Sequence, residues 1–589
     1  MSLFKNESPF VKVLTFSDNS QQTTAYPGNI ANTNNFVGGG TSTLDEALDN
    51  AIASLPASGG EVVVPDQSQS LVPWILTHVV TINKPVHITF GIGTLTFAMA
   101  DPGVSSGGIF IQSDNVVLEG QGPDTVFTQP NAQNIETCIF FSNHGNITIK
   151  NIKFDWNDTN LTNASGFYSC LRSSAGSHDL KVYDCQFTRG GDRAIDFRGA
   201  NRVWIENNYF FSTGLFTLHA PSHGNSVSVD VDGLTQSTDV WLVNNLVEQQ
   251  GDSFAAADSI RVHIINNTIR GAADFGNTPT STESGIDATG NVDCEVSGNQ
   301  LINVRGPQLG IQGEFISPTS YVPRNVSVTG NTFVANTTAG GLPATQPRVT
   351  AGMSGVTGQM TNIAFSNNVF DGVELLVDTV KALKVNDNIF CNVLFPTSQI
   401  VIVLDQATTS GSGVMQDFSI QDNIFLTDNS STQTAVFTTS NVTTPGKVSY
   451  FGNLQDANIP NGFTSALSIN ASNITASRIH TNGIPISNAN VTFSGWGSGA
   501  SIAFVGGTDL AGIIDITAGT TPSANPTITL TFVGGTFGSN PVIVCSRSDG
   551  STPFGPFAVQ TLSPTSVTFQ ANFTPSASGF YSVSFISIG

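Results

Sequence analysis

The chain has 589 residues, too many for one ordinary compact domain. Lys and Arg total 21 against 43 Asp and Glu, and a net charge of −22 argues against bulk attraction to nucleic acid or an anionic membrane. Only 11% of residues are charged, and 58 Gly, 27 Pro and 40 Phe accompany many Asn, Ser and Thr, a composition of strands and turns rather than helical surfaces.

Residues 1–40 are polar and end in Gly38-Gly39-Gly40, which predicts an adaptor or extended arm followed by a hinge. One helix follows: Thr43 and Glu46 fit a capping box, Leu44, Leu48, Ile52 and Leu55 share a face, and Gly59-Gly60 ends it. GGEVVVP (59–65) then reads as a buried strand, with the helix capping the first edge of a β array. The start, MSLFKNESPF, lacks a basic, then apolar leader, so synthesis in a cytoplasm without a signal peptide is expected. No stretch approaches a membrane span, and no membrane insertion is expected.

A five-residue pattern built on [Asn/Asp/Gly]-Asn-x-Phe then recurs. Its copies are KNIKF (150–154), YDCQF (183–187), ENNYF (206–210), VNNLV (243–247), INNTI (265–269), SGNQL (297–301), TGNTF (329–333), SNNVF (366–370), NDNIF (386–390), QDNIF (421–425) and FGNLQ (451–455). Each follows an alternating strand, and the spacing runs from 20 to 37 residues around a mean of about thirty. VHITFGIGTLTF (86–97) and VVLEGQGPDTVF (116–127) fit as degenerate first turns. The expected fold over 41–460 is a right-handed parallel β-helix of about 13 turns, a rod on the order of 60 Å long at ~4.8 Å per strand. The Asn residues could touch sugar or metal, but a stacked ladder at a tight left-handed turn explains them structurally. The six cysteines, Cys138, Cys170, Cys185, Cys294, Cys391 and Cys545, include no CxxC pair and read as buried thiols.

The pattern stops near 460. Residues 461–486 read as a linker, and 487–589 carry alternating strands such as ITLTF (528–532) and SVTFQANF (566–573), the signature of a small β-sandwich. The fold class is therefore all-β.

The run from the capped helix through GGEVVVP, VHITF and VVLEGQG resembles the opening of pectate-lyase-like β-helix proteins. TDLAGIIDITAGTTPSANPTITLTFVGGTFGSNPVIVCS (508–546) with GFYSVSFISI (579–588) resembles C-terminal domains of bacteriophage tail fibres and tailspikes. The resemblance implies a homotrimer in the phage virion. Its N-terminus would join tail or portal and adaptor proteins, and its C-terminal domain would serve trimerisation or receptor and carbohydrate binding. The β-helix would recognise, and in many members cleave, host surface polysaccharide such as lipopolysaccharide O-antigen or capsule. The alternatives are a non-catalytic receptor-binding tail protein and a polysaccharide lyase.

An endo-glycosidase needs two carboxyls flanking the scissile bond. GGDRAIDFRG (190–199) places Asp192 and Asp196 at 16 and 12 residues before Asn208, and STESGIDATG (281–290) places Glu283 and Asp287 at the same offsets before Asn299. GDSFAAAD (251–258) adds Asp252 and Asp258, and LGIQGEF (309–315) adds Glu314. The shared offset predicts one outward face with turns between the two sets, and Asp196 and Asp287 are the individual favourites. Arg193, Arg198, Trp204, Trp241 and Arg261 are expected on that face as sugar contacts. His219 and His223 in TLHAPSHGNS (217–226) are candidate groove residues. The same residues also read as capping and solvating side chains of turns. GDRAID loosely resembles the GDD motif of polygalacturonases, but Arg193 replaces its second Asp. No HExxH, P-loop, dinucleotide or zinc spacing occurs, so neither metal nor cofactor is expected.

Overall fold

The computed structural model describes residues 11–15, 21–25, 30–36, 43–100, 107–129, 135, 137–155, 169–188, 193–211, 225–250, 252–271, 285–304, 307–316, 319–335, 348–352, 358–391, 400–405, 415–426, 434–438, 447–455, 461–465, 474–475, 487–508, 511–532, 542–547 and 557–588. The chain divides into two units, Met1–Ser477 and Arg478–Gly589.

The first unit is a parallel β-helix, wound right-handed as parallel crossovers are. A typical turn has three strands, each stacked in register on the turns before and after. His178–Tyr183 belongs to the first sheet, Gln186–Thr188 to the second and Arg193–Arg198 to the third. Among the described residues the third sheet has 14 strands, from Val80–Ile82 to Asn461–Ser465. Apolar side chains from all three sheets fill the interior as one core.

The recurring pattern marks the corner between the first and second sheets. Its leading residue takes a left-handed conformation, as at Asp184, Asn207, Asn244, Gly298 and Gly330, which explains the choice of Asn, Asp or Gly there. The next residue turns inward. Asn208, Asn245, Asn267, Asn299, Asn331, Asn368, Asn388, Asn423 and Asn453 form a column in which each amide oxygen after the first accepts two bonds from the preceding Asn, while that of Asn208 accepts the Cys185 N–H. At Asn267, the backbone N–H and Nδ2 donate to Asn299 Oδ1 at 2.9 and 3.0 Å, and Nδ2 also donates to the Leu242 carbonyl at 2.8 Å. The Asn column is thus a satisfied structural ladder, with the left-handed bend one residue earlier. Beyond it the Phe residues stack, as in Phe370 on Phe390 at 4.5 Å and Phe390 on Phe425 at 5.1 Å.

Helix Leu44–Ser54 buries Leu44, Ala47, Leu48, Ala51 and Ile52 against the first turns. Thr43 is its N-cap but makes no side-chain cap bond, so the expected capping box is absent. Asp45 Oδ1 accepts the Glu46 N–H instead, at 3.0 Å. The helix stops before Leu55, which is extended because Pro56 follows. Gly59 then passes so close to the Pro85 carbonyl that a Cβ would lie 1.5 Å from its oxygen.

Two limits differ from the sequence reading. Ile30–Asn32 already pairs in parallel with Gly60–Val64, inside the region assigned to the N-terminal arm. Asn461–Ser465 and Ile474–Thr475 continue the sheets into the expected linker, because a strand can stack without the corner pattern that marked it. All six cysteines are free thiols, four of them buried. No helix among the described residues is long and apolar enough to cross a membrane.

The second unit is a sandwich of two antiparallel four-stranded sheets. Its core gathers Trp496, Ile514, Leu530, Phe569, Tyr581 and Phe585.

The ladder sets an expected stability pattern. Asn299→Ala removes the acceptor for two buried donors of Asn267 and should cost roughly 2–6 kcal/mol at 1–3 per orphaned group. Asn208→Ala, at the start of the column, removes the acceptor for one donor, the Cys185 N–H, and should cost about 1–3 kcal/mol. Urea unfolding followed by circular dichroism measures both, and equal losses would contradict a continuous ladder.

Candidate functional site

Backbone register places Asp196 and Asp287 in one column of the third sheet, through Asp196, Ser228, Ala255, Asp287 and Gly310. Ile195 and Phe197 lie in the core, so Asp196 between them points to the outer face. Three steps separate the two acids, about 14 Å at ~4.8 Å per strand. That exceeds the roughly 5–9.5 Å spanned by paired carboxyls of glycosidases, so the two share a column without forming a pair.

Asp196 is fully buried under arginines. Arg193 Nη1 donates to its Oδ1 at 3.1 Å, Arg198 Nε reaches both oxygens at 3.0 and 3.2 Å, and Arg172 Nε lies 3.6 Å from Oδ2. Arg193 and Arg198, predicted as sugar contacts, therefore serve this carboxylate. Asp287 is different. Its neighbours in the column are Ala255 and Gly310, so no large side chain flanks it there. Its Oδ1 accepts the Thr289 backbone N–H at 3.1 Å and also bonds the Thr289 hydroxyl.

The corner from the third sheet back to the first carries further acids. Asp230 ends strand Asn225–Asp230, and Asp258 follows strand Asp252–Ala256. Glu314 opens a hairpin in which Glu314–Ile316 pairs antiparallel with Thr319–Tyr321. Burial raises the Asp258 carboxyl to about 8, helped by repulsion from Glu314, Asp230 and Asp287. Burial also raises Glu314, with Asp230 and Asp287 adding to it. Asp230 is raised by burial too, against the Val231 N–H and the charges of Arg193 and Arg198. Asp230, Asp258, Asp287 and Glu314 thus form one electrostatically coupled group.

Glu314 joins this group by a route that counting misses. It lies four residues past Gly310, the residue level with Asp287, and reaches the corner because its turn contains the hairpin. Asp230 stands 15 residues before Asn245, the same offset as Asp252 from Asn267, so that count does not single it out. Its signal was its place at the end of an alternating strand, the corner that Asp258 reaches two residues past its own strand.

The aromatic candidates lie elsewhere. Trp204, Trp241 and His263 occupy consecutive strands of the first sheet and stack at 4.8 and 5.5 Å, with Lys181 5.6 Å from the Trp204 ring. A cavity of about 470 Å³ lies beside them, lined by Lys181, Tyr183, Trp204, Glu206 and Asn207. Arg261, also on the first sheet, holds Asp239 with Nη2 at 2.7 Å from Oδ2. Trp204, Trp241 and Arg261 are therefore on a different sheet from Asp287; alternation fixes inside against outside, not which of three sheets a residue joins. Asp192, His219, His223 and Glu283 fall outside the described residues, in connections between the second and third sheets. Asp252 begins a third-sheet strand level with Asn225, and its side chain is likewise outside the description. Among the described residues no three His, Cys, Asp or Glu side chains converge as a metal site would require.

No family model matches the chain, and no curated protein does. Among solved structures it is similar to the Dettilon tailspike protein, with 12% identity, 95% of each chain covered and a TM-score of 0.47. It is similar to a mutant tailspike protein of E. coli bacteriophage HK620 in complex with a pentasaccharide, with 10% identity, coverage of 98% of this chain and 97% of that one, and a TM-score of 0.48. A mannuronan C-5 epimerase A-module from Azotobacter vinelandii shows 14% identity, coverage of 76% of this chain and all of that one, and a TM-score of 0.43. Phage tailspikes thus recur among its structural neighbours, while similarity this low transfers no residue roles.

Proposed function

We propose that the protein is a phage tailspike that binds host surface polysaccharide and hydrolyses its glycosidic bonds at Asp287. The observation that carries this reading is a carboxylate in a column of small residues beside a second carboxyl, Glu314, with raised proton affinity. Glu314 acts as the general acid, delivering a proton to the leaving oxygen, and Asp287 acts from the other side of the bond as base or nucleophile. A carboxyl made a better proton holder by burial, set beside a second carboxyl, suits the acid's part in such chemistry. Asp196 clamps Arg172, Arg193 and Arg198 at the edge of the site, which leaves those cations occupied and weighs against a lyase that must neutralise a uronate carboxylate. The homotrimer, the N-terminal attachment to the virion and the receptor role of the C-terminal sandwich belong to the same proposal, supported by the sequence resemblance.

Purified host lipopolysaccharide or capsule, assayed for new reducing ends and for absorbance of unsaturated ends, separates the alternatives. The wild type should release reducing ends without unsaturation. Glu314→Gln and Asp287→Asn should each lower cleavage at least a thousandfold while polysaccharide still binds. If both variants cleave within threefold of the wild type, the site is elsewhere; if the wild type binds without cleaving, the protein is a receptor-binding tail protein. Asp196→Asn should act on the fold instead, costing about 3 kcal/mol by leaving buried arginines without their anion.

A further inference from the structure

Asp258 has features that scaffolding does not need. Its backbone is left-handed, with φ 50°, yet its side chain is fully buried, whereas Asn207 and Asn244 at other left-handed corners are exposed. Neither carboxyl oxygen has a hydrogen-bond partner among the described residues. The carboxyl is pressed against Gly290, where a Cβ would lie 1.8 Å from Oδ1 and where φ is +68°. A buried acid with no donor among the described residues and an obligatory glycine are two costs at one point, and such costs collect where a site demands them. The groups that face it are Asp287 on the neighbouring strand, Glu314 and Tyr321 on the hairpin, and Asp230 at the preceding corner, with Arg193 and Arg198 acting on Asp230.

We propose that Asp258 is a positioning residue, a neutral carboxyl sealed behind Asp287 and Glu314 that lets one of them stay ionised while the other keeps its proton. The inference rests on the glycosidase reading for its chemistry and on the cluster alone for its electrostatics. While Asp258 is neutral, the cluster carries few enough charges for Asp287 to remain a carboxylate and Glu314 an acid. Losing the Asp258 proton adds a negative charge beside both, and the protons of the cluster redistribute together. Repulsion from the same neighbours, added to burial, is what holds that proton up to about pH 8. Asn fits the left-handed corner and is permanently neutral, so it copies the protonated state.

Two measurements test this. The first is the pH profile of polysaccharide cleavage for the wild type and Asp258→Asn. The wild type should lose activity above about pH 8. Asp258→Asn should keep at least a tenth of wild-type cleavage at pH 6 and show its alkaline fall at least one pH unit higher. An unmoved alkaline limb makes Asp258 scaffold and overturns the proposal. Loss of cleavage at every pH with an unchanged melting temperature makes it catalytic, which overturns it too.

The second measurement is the urea midpoint against pH, which needs no activity. The folded state keeps a proton that the unfolded chain loses near pH 4, so stability is fullest below that and declines as pH rises towards 8. Glu314→Gln and Asp287→Asn each remove a repulsive neighbour and should move that decline to lower pH. Should the wild type cleave nothing, the glycosidase reading fails, and this measurement alone decides: a shift in both variants upholds the coupling, and no shift overturns it.

Discussion

The fold depends on a hydrogen bond from one asparagine to the next. A corner of a β-helix must bury backbone groups that no strand partner satisfies, and an orphaned buried donor costs about 1–3 kcal/mol. The asparagine amide supplies an acceptor to the turn before it, a donor to the turn after it and a second donor to a backbone carbonyl. Asn208 does all three, taking the Cys185 N–H at 3.0 Å and giving Nδ2 to Asn245 and to the Val182 carbonyl. A hydroxyl has a single proton to give, and of the two side-chain amides with an acceptor and two donors asparagine has the shorter stem.

That corner fixes the first and second sheets and leaves the rest of each turn free. Phe211 is followed by a third-sheet strand only at Asn225, whereas Thr188 is followed by one at Arg193. The Glu314 hairpin is a similar addition at the opposite corner, and it brings a further acid into the group around Asp287. Chemistry on this fold is therefore assembled from departures from the repeat, set against a column whose spacing the repeat guarantees.

How much of this the sequence disclosed follows from which forces act locally. The corner pattern was readable because a left-handed bend and a buried amide each admit few residue types. The column shared by Asp196 and Asp287 was readable because both lie 12 residues before the next corner asparagine, in turns whose remaining lengths match. The occupant of each outward position was not. Whether Asp196 meets sugar or arginine depends on Arg172, which comes from the preceding third-sheet strand, Ser169–Ser173. Trp204 and Trp241 alternate correctly as outward residues, but a period of two does not say which sheet they lie on. Asp258 was visible as an acid, while its burial arises from Gly290 and the hairpin, distant in sequence.

The stack of Trp204 on Trp241, 4.8 Å apart and within 4° of parallel, makes the winding optically legible. Two indoles so close and so aligned share their electronic excitation, and the shared state gives a signed pair of bands in polarised light. Slipping either strand by one residue would turn its indole towards the core and uncouple the pair. The helix thus carries, in two side chains, a built-in register gauge that responds to the order of its own turns.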